Sequence, residues 1–289
     1  MKKLSTSAAI LGLSLLTLNG ANASAPYATY GTIGGNYTQN FSSLSNATTA
    51  PATNAGVFGF GPASIINASG MTGWYGDDVS KTVYTNFYSS TGASNTTGGF
   101  YVFGSNSTST NGALSMSTTS TSGDELIGVG LQNTTGYTLT NFNISYDAAV
   151  FHWGTNSSSK TLAFGYVLDG ATLPTINSSA VITASAGGGS YTHDAGLDFT
   201  TNSTAGLDLA VNGFANGNYT LETDTINGIN WTNNGVLWLV WDIGTNTAQS
   251  PGLGIDNLTV NAVPEPSTYA LLLGGIVLLA SVVIRRRRA

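Results

Sequence analysis

Cysteine is absent from the 289 residues. Its absence removes disulfides, thiolate metal sites and a cysteine nucleophile, and leaves the fold to stand on its packed core. Charge is nearly as scarce. Asp, Glu, Lys and Arg make up 8% of the chain, against about 25% in an ordinary soluble domain. Their place is taken by 37 Gly and by abundant Ser, Thr and Asn. Lys2 and Lys3 open the chain and Arg285 to Arg288 nearly close it, so residues 4–284 hold only Lys81 and Lys160 against 14 acids, a net charge of −12. Nucleic-acid binding depends on Lys and Arg displacing counterions from phosphates, and a body of this sign excludes nucleic acid as a partner. Helix-period patterning is missing from the interior, and long apolar runs occur only at the two ends.

At the first end, Lys2 and Lys3 precede an apolar stretch from Ala8 to Leu18, and Ala21-Asn22-Ala23 stands ahead of Ser24. A basic start, an apolar centre and small residues for the peptidase make a secretory signal peptide over 1–23, with Ala21 and Ala23 at the cleavage site. The alternative, a short buried helix, has no amphipathic spacing behind it. At the second end, Pro264-Glu265-Pro266 is followed by an apolar run to Ile284 and then by Arg285-Arg286-Arg287-Arg288. From Ala270 the run has about 15 residues, short of the roughly 17 to 25 that cross a hydrocarbon core. Tyr269 at one interface and snorkelling arginines at the other extend it. A transmembrane helix over 269–284 is therefore expected, with the arginines cytoplasmic and the body outside the inner membrane. The chain divides into a signal peptide (1–23), an extracellular body (24–262) and a C-terminal segment (263–289).

The order Pro-Glu-Pro, short apolar helix and terminal arginines resembles the PEP-CTERM sorting signal of Gram-negative bacteria. That resemblance implies recognition by exosortase, a membrane-embedded cysteine transpeptidase, with signal peptidase as the other processing enzyme. Pro264, Glu265 and Pro266 would be the recognition element, the apolar helix a transient anchor in the inner membrane, and Arg285, Arg286, Arg287 and Arg288 the stop. Two prolines suit the role, because they hold an extended segment, poor in hydrogen bonds, that a protease can bind as a strand. The alternative is a tail anchor with an incidental proline pair. The localisation implied is an inner-membrane-anchored precursor that later reaches the cell surface or extracellular matrix.

The interior has the rhythm of strands and turns. In Lys160 to Gly170, Leu162, Phe164, Tyr166 and Leu168 share one face, and in Thr138 to Tyr146 it is Phe142, Ile144 and Tyr146. These read as half-buried strands, whereas Gly235 to Ile243 is apolar on both faces and belongs at the centre of a sheet. Gly252 to Val260 makes a last strand beside the C-terminal segment. The low-complexity stretches 104–122 and 184–194 read as loops or hairpin tips. The fold class expected is all-β, an antiparallel sandwich. Tyr37 to Leu44, Gly73-Trp74-Tyr75, Asn133 to Gly136 ahead of Phe142 to Tyr146, and Leu253 to Leu258 resemble a group of uncharacterised PEP-CTERM surface proteins. The resemblance implies a jelly-roll-like sandwich similar to carbohydrate-binding modules and brings no activity with it.

Chemistry-bearing patterns are few. His152 has Asp147 upstream and His193 has Asp194 beside it, but no nucleophile elbow, zinc spacing or phosphate loop accompanies them. Asp124, Glu125, Glu222 and Asp242 offer no spacing that singles out two acids across one cleft, as glycoside cleavage needs. The expectation is therefore no enzyme and no catalytic residue. Asp256 in Ile255-Asp256-Asn257-Leu258 is similar in position to a calcium ligand of jelly-roll modules, so a structural calcium is one reading. The other is an Asp capping a turn through its own backbone. Trp74, Tyr75 and Trp231, with Trp153, stand in turn-like or strand-edge contexts and are candidates to stack on sugar; the alternative places them in the core. The function expected is a non-enzymatic surface or matrix protein of the exopolysaccharide layer, with a carbohydrate-binding module or adhesin as the alternative and a secreted polysaccharide hydrolase third.

Overall fold

The computed structural model describes residues 27–264, apart from 45–51, 61–63, 66–69, 79–83, 93–97, 105–110, 121, 156–158, 169–173, 177–181, 184–189, 202–207 and 245–247, together with 273–279 and 284–286. The signal peptide expected over 1–23, with Ala21 and Ala23, lies outside the described residues.

The described strands begin with β1 (Ala28–Tyr30), β2 (Asn36–Gln39), β3 (Ala52–Phe60), β4 (Ser64–Ile65), β5 (Trp74–Asp78), β6 (Tyr84–Ser90), β7 (Gly99–Gly104), β8 (Gly112–Ser117) and β9 (Glu125–Asn133). They continue with β10 (Leu139–Trp153), β11 (Thr161–Leu168), β12 (Thr175–Ile176), β13 (Ile182–Thr183), β14 (Thr192–His193), β15 (Phe199–Thr200), β16 (Leu209–Ala210), β17 (Tyr219–Trp231), β18 (Val236–Ile243) and β19 (Gly252–Val263).

One sheet runs β14-β11-β18-β9-β5-β4, with β1 alongside β9 and β15 alongside β11. The other runs β16-β10-β19-β8-β7-β6-β3, with β17 also on β10 and β2 also on β19. Pairing is antiparallel except for β1 with β9 and β6 with β7. The two sheets form the expected sandwich.

Alternation sets the inner face. Phe142, Ile144 and Tyr146 of β10 meet Leu162 and Phe164 of β11 and Trp241 of β18 in one core. Its centre is aromatic: Trp74 stacks on Trp241 at 5.9 Å, Tyr146 meets Trp241 edge-on at 5.4 Å, and Phe41 closes on Trp74 at 4.8 Å. Offset and edge-to-face geometries of this kind add about 0.5–1.5 kcal/mol per pair to the area buried.

β18 is central, between β11 and β9, and buried on both faces as its apolar run requires. Its outer face carries Trp238 and Val240, packed with Tyr75, Leu126 and Val167. Gly130 makes this packing possible, because a Cβ there would lie 2.6 Å from Trp238 Cζ3.

One expectation fails in the interior. The segment 104–122 contains β8, a buried strand, because its Gly-Ala-Leu-Ser-Met-Ser sequence alternates Leu114 and Met116 inward with Ala113, Ser115 and Ser117 on the outer face.

Candidate functional site

β19 is the element that joins the body to the C-terminal segment. Its far end is held on both sides, Val263 pairing with Asn141 of β10 and Asn261 with Asn36 of β2. Tyr30 clamps it as well, its hydroxyl bonded to Ala262 O at 3.0 Å and to Ala262 N at 2.7 Å. Pro264 is buried directly after the strand. The Pro-Glu-Pro element therefore starts with no linker between it and the fold; Glu265 and Pro266 lie outside the described residues.

The single helix expected over 269–284 is found only in part. Residues 273–279 are helical, as are 284–286 with Arg285 and Arg286, while 269–272, 280–283, Arg287 and Arg288 lie outside the described residues. A helix of that length rises about 10 Å, a third of a hydrocarbon core. Among the described residues no helix is long and apolar enough to cross a membrane. The helix nonetheless exposes Leu273, Ile276, Val277, Leu278 and Leu279, each more than half open.

Nearer the middle of β19 the ladder to β10 slips by one residue between Ser145 and Asp147, so Tyr146 faces both Asn257 and Leu258. Asn257 takes a left-handed φ of 51° at this bulge, a conformation Asn tolerates better than other side chains with a Cβ. The bulge turns Asp256 and Asn257 onto the outer face beside Asp147. Asn257 N–H donates to Asp256 Oδ1 at 2.8 Å, Asn257 Nδ2 to Asp147 Oδ2 at 2.8 Å, and Asn111 Nδ2 to Asp256 Oδ2 at 3.3 Å.

These four residues help to line a cavity of about 140 Å³. Asp147, Ala149 and Phe151 follow one another on the same face of β10, and Gly213, Phe214 and Tyr219 complete the lining. The rings of Phe151 and Phe214 meet edge-on at 5.1 Å, and a Cβ on Gly213 would stand 2.5 Å from Phe151 Cε1. Burial pushes the Asp256 carboxyl up to about 7, with the Asp147 charge adding to the rise and the bonds from Asn257 and Asn111 opposing it.

The backbone bond that the turn-capping reading of Asp256 requires is present. A calcium wants several converging oxygens, and here asparagine amides crowd the pair and the body contributes no acid before Asp77. Thr38, Gln39 and Asn40 line a separate groove with Asn257, Leu258 and Thr259.

The aromatic candidates are corrected by their burial. Trp74, Tyr75 and Trp231 are all completely inaccessible. Trp74 lies in the inter-sheet core with Nε1 on Tyr37 Oη at 2.9 Å, Tyr75 packs under Trp238, and Trp231 bonds Gly235 O at 3.0 Å. Strand ends look exposed in the sequence, but Trp74 and Trp231 are covered in the inter-sheet core and Tyr75 by Trp238 and its neighbours on the outer face, so none can stack on sugar. Trp153 is partly buried against the same core.

The histidine partners also differ from the sequence neighbours. His152 is buried, with Nδ1 on Gly92 O at 2.7 Å and Nε2 3.2 Å from Asp208 rather than Asp147. Burial lowers its pKa, against the pull of Gly92 O and Asp208. His193 bonds Asp198 at 3.0 Å, while Asp194 instead caps the short helix Ala195–Leu197 through Gly196 N–H. Asp242 is pushed up to about 6 by burial and by Asp124, with His193 and Lys160 opposing the rise. Lys160 sits among Asp124, Glu125 and Asp242 and donates to Gly244 O. Glu222 stands apart on β17.

Asp147, Asn111, Phe151, Phe214 and Tyr219 were not visible as a site in the sequence. The one local signal was Asp256-Asn257, a pair suited to a bulge in an otherwise alternating strand.

Among curated proteins none matches the chain. Among solved structures it is similar to the family 11 carbohydrate-binding module from Clostridium thermocellum in complex with a β-1,3-1,4-mixed-linked tetrasaccharide. Identity there is 10% and the TM-score 0.33, over 68% of this chain and 92% of that one. It is also similar to the enzymatically active domain of tailspike protein 4 of bacteriophage CBA120, at 7% identity and a TM-score of 0.31, over 66% of this chain and only 20% of that one. Likenesses at these scores carry no argument about what the chain does. At the C-terminus, residues 262–288 match the PEP-CTERM protein-sorting motif, so the body's last strand runs straight into a sorting segment of that kind.

Proposed function

We propose that the chain is an exported, non-enzymatic protein of the cell surface or extracellular matrix. Its C-terminal segment tethers it to the inner membrane until exosortase cuts that segment, and the body then works in the exopolysaccharide layer. The observation that carries this reading is the sorting motif over 262–288, joined without a linker to a β-sandwich. The exposed apolar helix beside arginines supports the tether, because such a surface needs lipid or protein to cover it.

The body's chemistry suits a hydrated polysaccharide. It has a low charge content and a surplus of hydroxyl and amide groups, which offers neutral hydrogen bonds and little that attracts anions. The non-enzymatic reading draws support from how the acids are engaged: Asp147 and Asp256 are tied to asparagines, and Asp124, Glu125 and Asp242 surround Lys160.

Replacing Pro264, Glu265 and Pro266 with alanine in the native host tests the proposal. Full-length protein should accumulate in the inner-membrane fraction; processing at an unchanged rate would count against exosortase.

A further inference from the structure

We infer that the cavity between β10, β19 and the 213–219 turn is a subsite for one neutral, hydroxyl-rich sugar ring. Two carboxylates that are cross-strand neighbours, Asp147 and Asp256, form one wall. A carboxylate accepts more than two hydrogen bonds, so Asp147, which accepts from Asn257 Nδ2, keeps acceptor capacity for a sugar hydroxyl, while the buried Asp256 accepts from both Asn257 N–H and Asn111 Nδ2. The rest of the lining includes three aromatic rings, Phe151, Phe214 and Tyr219. Phe214 is partly exposed and Tyr219 is 40% exposed, which leaves ring surface for the C–H face of a sugar.

Polar groups and aromatic rings around one small concavity match the amphipathic character of a pyranose, whose hydroxyls ring its edge and whose C–H groups cover its faces. The cavity of about 140 Å³ is far below the roughly 300 Å³ at which drug-sized pockets begin, so it suits a single ring.

The lining also discriminates against other ligands. It contains no lysine or arginine, so an acidic sugar would meet acidic side chains without a counter-charge. A divalent cation wants several converging oxygens. Here aromatic rings, Ala149 and Gly213 share the lining, and among the described residues no cluster of three acids or histidines forms.

Tyr101, Phe103 and Phe151 stack across the same outer face at 5.0 and 5.3 Å. This row fixes the Phe151 ring at the cavity wall, so the subsite is held in shape before a ligand arrives. The inference rests on the export reading for where the sugar is met, and not for how it is held.

The test uses the full chain, purified from membranes in a non-glycosidic detergent. Glucose, galactose, mannose and xylose, with their β-linked oligosaccharides, are titrated by calorimetry against the wild type, Asp147→Asn and Tyr219→Ala. At least one of these sugars should bind, and each substitution should weaken it by about tenfold, the cost of one charge-assisted bond or one ring face. Tyr219→Ala removes an exposed side chain, so it keeps the melting temperature while losing affinity. The inference is overturned if none of the sugars binds, or if binding survives both substitutions. A calcium-dependent rise in melting temperature that Asp147→Asn abolishes, without sugar binding, would make the cavity a cation site and overturn it equally. Because binding is read on purified protein, its failure leaves the membrane-fractionation result for the sorting motif untouched.

Discussion

Replacing Asp256 with asparagine should stabilise the body at neutral and alkaline pH while leaving it unchanged in acid. The carboxyl is 2% exposed and faces Asp147, the charged group closest to it across the ladder. Its pKa rises from 3.8 to about 7 on folding, chiefly through burial. The folded state therefore holds this proton more tightly than the unfolded chain. Stability from the group is fully present below about pH 4, declines as the unfolded chain loses its proton, and is gone once pH passes the folded value near 7. About three pH units at 1.36 kcal/mol each place the loss at no more than about 4 kcal/mol. Asparagine keeps the oxygen that accepts Asn257 N–H and carries no charge to bury, at the cost only of the 3.3 Å bond from Asn111 Nδ2, which its amide nitrogen cannot accept. The assay is urea unfolding of both proteins from pH 4 to pH 8 with a chelator present. The difference between them should start near zero and grow in favour of the variant as pH rises, a comparison that cancels the opposing titration of buried His152. A variant less stable than the wild type at pH 8 would refute the reasoning. Adding calcium is the second arm: a Tm rise in the wild type that Asp256→Asn removes would restore the metal reading.

Three further outcomes follow from the packing. Gly130→Ala should destabilise the body by about 1–3 kcal/mol in denaturant melts, because its Cβ would sit 2.6 Å from the Trp238 ring on a face with no room to yield. Trp231→Ala should cost about 3–5 kcal/mol, as for any large core side chain, and should lower sugar binding only in proportion to unfolded protein. A short Gly-Ser insertion between Val263 and Pro264 should speed processing in an exosortase-bearing host, since the motif otherwise abuts a strand clamped by Tyr30, Asn36 and Asn141. A rate unchanged by the insertion would mean that the enzyme reaches the motif without loosening β19.

Much of the fold could be read from periodicity. Leu162 and Phe164, Phe142 to Tyr146, and the doubly apolar Val236 to Ile243 lie where a period of two predicts them. What escaped was everything decided by long-range register. Trp74, Tyr75 and Trp231 sit beside turn residues, and only the opposing sheet over Trp74 and Trp231 and the Trp238 ring against Tyr75 show that they are covered. Strand β8 hid in a Ser- and Gly-rich stretch because its outer face needs small residues: a Cβ on the neighbouring Gly254 would collide with Ser115 Oγ. The pocket joins residues from 111 to 257 through a bulge whose position depends on β10 pairing with β19, and no local pattern reports a pairing of that separation. The C-terminal segment was legible for the opposite reason, since its three parts are contiguous and their order alone carries the signal.

Whether the C-terminal segment is a temporary tether is decided by peptide mapping of the protein recovered from the cell surface and culture matrix. The recovered body should start near Ser24, end close to Pro264-Glu265-Pro266, and lack Arg285 to Arg288. Protein found in the cytosol with its arginines in place would rule the tether out.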